Sequence, residues 1–119
     1  GELTDADVIY FIAEIDGERV GSIFCVRKDD HTAKLRLLLV EPAARGTGLG
    51  GRLVDECLKF AKSTGYQTIE LWTNSVLTVA RKIYAARGFT MVGSEQHPVF
   101  PAGQENETWR MNLCDSWTK

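Results

Sequence analysis

The sequence holds few of the residues that build metal centres or disulfide frameworks. Its 119 residues include three cysteines and two histidines. Cys25, Cys57 and Cys114 are widely spaced, odd in number and without a C-x-x-C, which fits free thiols in a reducing compartment. His31 and His97 lack ligand spacing, so no metal is expected. Positive charge is in slight deficit, with 14 Lys and Arg against 16 Asp and Glu, a net charge of −2 and a pI near 5.7. That balance argues against a nucleic-acid surface, although a local basic cluster could still hold a phosphate. No apolar run approaches the roughly 20 residues of a membrane span, and no charged segment leads into a short apolar one as in a secretory signal. A cytoplasmic protein with no membrane partner is the expectation. Repeats, linkers and low-complexity stretches are missing as well. What is present, 44% hydrophobic and 25% charged residues, suits one domain over residues 1–119 with one modest core. The chain opens on Gly1 rather than Met, so an excised or truncated domain is expected.

Residues 8–15 form an apolar, β-prone run that ends at Asp16-Gly17, a strong hairpin signal. A second strand is expected over 19–26 and a third over 33–40. The third is almost continuously apolar near its end, so it should be central and covered on both faces. Pro42 closes this meander. A helix then reaches Lys62, with Leu49, Leu53, Val54, Cys57, Leu58 and Ala61 on one stripe and charged residues opposite. Gly65 is a natural stop. A strand over 68–73 leads to Asn74 or Ser75 as N-cap of a second helix, with Val76, Val79, Ala80 and Ile83 on its apolar face. Strands over 89–92 and 108–113 flank a loop over 94–105. The order β-β-β-α-β-α-β-β describes an α+β domain, a mixed and mostly antiparallel sheet with helices on both faces.

Arg45-Gly46-Thr47-Gly48-Leu49-Gly50-Gly51 joins a strand to a helix. Such a loop can aim several backbone N–H groups, helped by the helix dipole, at a phosphate. Gly46, Gly48 and Gly51 satisfy G-x-G-x-x-G in form. A dinucleotide fold fits poorly, because residues 41–45 separate the loop from its strand, an antiparallel meander precedes it, and Glu70 falls mid-strand where a ribose-binding acid would close one. A P-loop needs Gly-Lys-Ser/Thr, which does not follow.

Arg45-x-x-Gly48-x-Gly50, after a strand ending Leu38-x-Val40-x-Pro42, resembles the acetyl-CoA signature of the GNAT superfamily of N-acetyltransferases, Gln/Arg-x-x-Gly-x-Gly/Ala. Ala80-x-x-Ile83-Tyr84-x-x-x-Gly88-Phe89 resembles that superfamily's second motif. The resemblance spans about residues 8–113. Residues 32–42, 54–57, 71–74 and 107–113 are similar to the acetyltransferase domain that follows a MarR-type winged-helix regulator in bacterial fusion proteins. No winged-helix sequence is present here, so DNA binding by this chain itself is not implied.

The resemblance implies a GNAT fold, short at its N-terminus, with acetyl-CoA as donor and a small-molecule or peptide amine as acceptor. It implies that the amides of Gly46, Thr47, Gly48, Leu49, Gly50 and Gly51 hold the pyrophosphate, with Arg45 adding a charge-assisted bond. A bulge should splay the strand before the loop from the next parallel strand. Leu38, Leu39 and Val40 would pair with pantetheine in that gap, the Leu38 amide facing the acetyl carbonyl. Tyr84 is the implied general acid for the departing thiolate, although an aromatic at helical spacing more often packs a core. Lys34 stands where some members carry a glutamate base, so a water chain or Glu70 takes that place. Leu77 stands where an asparagine is common; Asn74 is a helix cap, a ligand contact or both. The missing N-terminal part would leave an open acceptor groove and an exposed sheet edge, hence an expected homodimer. Two functions follow: acetyl transfer to a primary amine by direct attack, or a coenzyme A-binding sensor with little turnover. Trp72 and Trp109 are expected to be packing residues, Cys57 buried, His97 solvated and Trp117 in a loose tail.

Overall fold

A computed structural model describes residues 8–113; Cys114 and Trp117 lie outside them. The strands are β1 (Val8–Ile15), β2 (Glu18–Arg27), β3 (Thr32–Val40), β4 (Thr68–Asn74), β5 (Thr90–Gln96) and β6 (Glu105–Asn112). The helices are α1 (Leu49–Thr64) and α2 (Thr78–Ala86), and a 3-10 turn covers Pro42–Ala44. One six-stranded sheet runs β1-β2-β3-β4-β6-β5, with only β3 and β4 parallel.

The β1–β2 hairpin turns where Asp16 and Gly17 take φ of 53° and 83°, the left-handed pair that an Asp-Gly turn supplies. β3 carries the feature that shapes the molecule. Phe24 pairs with Arg36 and Ser22 with Leu39, so Leu37 and Leu38 together face Ile23, and Leu37 takes a φ of 56°. That is a bulge, which bends the strand. β3 pairs with β4 from Thr32–Thr68 to Leu35–Leu71 and not beyond. The end of β3 was expected to be covered on both faces. It is not: Leu37 and Leu39 are exposed, because the bend takes this segment away from β4.

Alternation along the strands sends Ile23, Cys25, Leu35, Ile69, Leu71 and Trp109 to one face. α1 adds Leu53, Val54, Cys57 and Ala61 to that core, and α2 adds Tyr84. The helices therefore share one face, which corrects the expectation of helices on both. On the other face Trp72 is 58% exposed, a further correction, since packing was expected of it; Trp109 is buried at 8%. α1 ends at Gly65, whose left-handed φ of 99° lets its N–H reach Ala61 and Lys62 carbonyls.

α2 starts later than expected. Asn74 Oδ1 accepts the Val76 N–H at 3.0 Å and its Nδ2 donates to Gln104 Oε1 at 3.0 Å, while Ser75 Oγ accepts the Glu105 N–H at 2.9 Å. Both side chains are used in a turn between strands, so neither caps the helix, and Leu77 stands at the cap with no side-chain bond. Val76 and Val79 are consequently exposed, with Ala80 and Ile83 half-buried. β5 and β6 reach into the expected 94–105 loop. Their polar sequences hide a two-residue period, and every residue of β5 is exposed.

Candidate active site

The loop after β3 presents donors without acceptors. Glu41 donates its N–H to Val20 O, which fixes which edge of β3 faces β2. By alternation the Val40 N–H and C=O face the opposite edge, and the Val40 carbonyl accepts from Arg45 Nε at 3.1 Å. This bond uses Nε and leaves the terminal guanidinium nitrogens of exposed Arg45 without a partner among the described residues. Thr47 Oγ1 donates to Ala44 O at 2.6 Å, tightening the turn. Gly46 and Gly48 hold φ of 83° and 84°. Among the described residues, the backbone N–H groups from Gly46 to Gly51 find no acceptor; the first bond into α1 is Arg52 N–H to Gly48 O. The N-terminus of α1 thus offers several unpaired donors and the positive end of its dipole.

Three elements meet beside this loop. A Cβ on Gly50 would lie 3.0 Å from Ile83 Cδ1 and 3.7 Å from Val40 Cγ2, so the end of β3, the start of α1 and the middle of α2 are in near contact. Arg87, at the end of α2, fixes this arrangement. It donates to Asp55 Oδ1 at 2.9 Å and to Gly51 O at 3.2 Å. A Cβ on Gly51 would sit 2.1 Å from an Arg87 nitrogen. Sequence reasoning missed Arg87 and Asp55, because their partnership depends on how the helices cross.

Tyr84 lies next to Ile83, buried at 5% with its ring edge on Phe89. Its hydroxyl has no hydrogen-bond partner among the described residues, yet it is not sealed from solvent. Burial pushes its pKa up to about 12, so the phenol keeps its proton at neutral pH. Arg81 reaches across from α2 to buried Glu107 of β6, Nε to Oε1 at 2.9 Å, and Trp109 Nε1 donates to the same oxygen at 3.0 Å. That pair ties the helix bearing Tyr84 to the sheet.

On the face away from the helices, Glu70 is 3% exposed and accepts from Lys28 Nζ at 2.6 Å and Arg110 Nη2 at 3.1 Å. Burial alone would raise its pKa; the bonds and charges of Lys28 and Arg110 outweigh that and hold the carboxyl below its ordinary range. This corrects Glu70 as a base, since a carboxylate gripped by two cations is a poor proton acceptor. It also gives a pH prediction. A depressed native pKa stabilises above the unfolded value of about 4.3, and the contribution fades as pH falls through the lower native value. Glu70→Gln is expected to remove that part of the acid limb, read from urea midpoints at falling pH; an unchanged limb contradicts it. Lys34 pairs in register with Glu70, and its ammonium lies 3.4 Å from the centre of the Trp72 ring.

The structure therefore gathers Leu38, Leu39, Val40, Arg45, Gly46, Thr47, Gly48, Leu49, Gly50 and Gly51 along one path from the bulge into α1, with Tyr84 on the neighbouring helix. Asn74 stands at the end of β4, its side chain taken up by Val76 and Gln104. Cys25 and Cys57 are buried free thiols. Among the described residues no cluster of His, Cys, Asp and Glu could hold a metal, and no helix is long and apolar enough to cross a membrane.

A model of the acetyltransferase (GNAT) family matches residues 2–89. N-acetylaspartate synthetase of Rattus norvegicus is 31% identical over 93 residues, 77% of this chain and 31% of that protein. The chain thus spans about a third of the length of the curated relatives it matches first. Among solved structures, nourseothricin acetyltransferase superposes with a TM-score of 0.81 at 24% identity, covering 92% of this chain and 67% of that one. A GNAT family acetyltransferase from Elizabethkingia anophelis with acetyl-CoA bound gives a TM-score of 0.79 at 18% identity, over 91% and 78% of the two chains.

Proposed function

Because the chain belongs to the acetyltransferase (GNAT) family, we propose that it binds acetyl-CoA and moves the acetyl group to a primary amine by direct attack in a ternary complex. The observation that carries this reading is the row of unaccepted amides from Gly46 to Gly51 at the start of α1, placed where β3 leaves β4. The residues fit the donor. The amides and Arg45 suit a pyrophosphate, and the edge of β3 after Leu35, which β4 no longer pairs, suits an extended amide-bearing arm. The Leu38 amide, in the bulge, donates to the carbonyl oxygen as the amine attacks and negative charge develops there. When the carbon–sulfur bond breaks, the Tyr84 hydroxyl gives its proton to the thiolate. The amine's surplus proton leaves through water, and water returns a proton to the Tyr84 phenolate.

Calorimetry with coenzyme A and thiol release against a panel of amines test this together; absence of binding defeats it. Binding without release from any amine favours the sensor reading, which has its own support in Lys34 occupying the position of a glutamate base. Gly48→Val is expected to weaken coenzyme A binding by roughly tenfold. A β-branched residue at a φ of 84° costs about 1–2 kcal/mol in the conformation that aims the amides, although no atom lies within 4 Å of the added Cβ. Affinity equal to the parent would contradict the amide seat.

The same reading includes a winged-helix partner in a longer chain, supported by the resemblance at residues 32–42 and 107–113. It includes a homodimer, supported by β5, the last strand of the sheet and exposed throughout.

A further inference from the structure

The face of the sheet opposite the helices is polar in an uneven way. Ala33 and Leu35 are buried in the core, so by alternation Lys34 and Arg36 point to the other side. Lys34 lies one step before Leu35–Leu71, the last pair of β3 with β4. Lys34 and Arg36 on one strand, with Trp72 on the other, therefore flank the place where the two strands part. Across the same face lie Lys28 and Arg110. Around the parting of β3 and β4 four cations stand beside Glu70, which is already engaged by Lys28 and Arg110. The face's other carboxylate among the strands β3 to β6, Glu95, is in register with Asn106, two strands from Trp72. Arg36 has no carboxylate partner among the described residues and is exposed. This concentration of positive charge sits on a chain whose net charge is −2. A face that only needed solvation would mix the two signs. Burial, with Arg36 and Lys28 nearby, disfavours the charged form of Lys34, so an incoming anion would relieve a repulsion that already exists.

We infer that this face receives an amine acceptor bearing a carboxylate, with Arg36 and Lys34 holding the carboxylate and the exposed Trp72 ring forming a wall. The inference rests on the acetyl-transfer reading for the identity of the site as an acceptor site. Its chemistry is selective. A carboxylate gains charge-assisted bonds to Arg36 and Lys34, whereas a polycation meets like charges at the mouth of the site.

The test uses the whole chain saturated with coenzyme A and titrated calorimetrically with L-aspartate, its diamide and putrescine. Aspartate is expected to bind at least about tenfold more tightly than the diamide, the equivalent of one charge-assisted bond, and putrescine more weakly still. Arg36→Gln is expected to lose about tenfold for aspartate and little for the diamide. Lys59→Gln, which removes the same charge from the outer surface of α1, is expected to keep the parent's order. Thermal midpoints confirm that each variant folds. The inference is overturned if the diamide or putrescine binds as well as aspartate, if none of the three binds, or if Arg36→Gln leaves the order unchanged. Thiol release from a neutral amine with no preference for aspartate would sink the inference and leave acetyl transfer standing. Ordered binding with no thiol release would support the anionic site and sink acetyl transfer.

Discussion

Tyr84→Phe is expected to reduce kcat by about 10²- to 10⁴-fold, the usual contribution of a positioned general acid, while the KM for acetyl-CoA hardly moves. The prediction is sharp because the hydroxyl has no hydrogen-bond partner among the described residues and the ring, packed on Phe89, is retained. Stability should therefore stay close to the parent's, which separates a chemical role from a packing one. The Tyr84 pKa of about 12 adds a second expectation. The phenol is fully protonated through neutrality, so any loss of activity on acidification belongs to another group, such as the protonating amine acceptor. Stopped-flow detection of released thiol over a pH series reads both. Full turnover in the variant would remove Tyr84 from the chemistry.

Glu107→Ala is expected to destabilise the fold by about 3–5 kcal/mol, because it leaves the Arg81 guanidinium and the buried Trp109 N–H without their shared acceptor. A small domain has only about 5–15 kcal/mol in total, and at this size each kcal/mol shifts Tm by roughly 4–8 °C. Arg81 is 35% exposed, so water relieves part of its loss and the lower end of the range is expected. The double substitution Arg81→Met with Glu107→Leu should recover much of the stability, since no charge is then stranded. Both effects are read from thermal or urea unfolding; a loss under about 1 kcal/mol in the single variant would show that the pair anchors nothing.

The residues that carry the donor seat were legible in the chain because their signal is local. Glycines at positions 46, 48, 50 and 51 follow a proline-ended strand and precede an amphipathic stripe, and each of those signals depends on neighbours a few residues apart. The bulge at Leu37–Leu38 had no such signal. Four apolar residues in a row read as a buried strand, and what bends them is the pairing with β2, with Leu37 taking a conformation more usual for glycine. The start of α2 was misplaced for a related reason. Asn74 and Ser75 are good caps by type, but both were claimed by partners about thirty residues away, Gln104 and Glu105. Glu70 likewise looked available until Lys28, from the turn between β2 and β3, and Arg110, from β6, closed on it. Chemistry that hangs on residue type within one segment could be read early; chemistry that hangs on which distant charge arrives could not.

The crossing of the two helices leaves a mark on how this protein can change over generations. Arg87 fills the space where a side chain at position 51 would begin, and Asp55 holds it there. A side chain at position 51 obliges the guanidinium to swing aside, at the loss of its bonds to Asp55 and the Gly51 carbonyl. Asp55 is 45% exposed and water can answer its charge, so each of positions 51, 55 and 87 can change alone, at the loss of this tie between the helices. Among descendants of this chain, those that keep the arginine and the aspartate should keep a glycine at position 51 more often than those that have lost them.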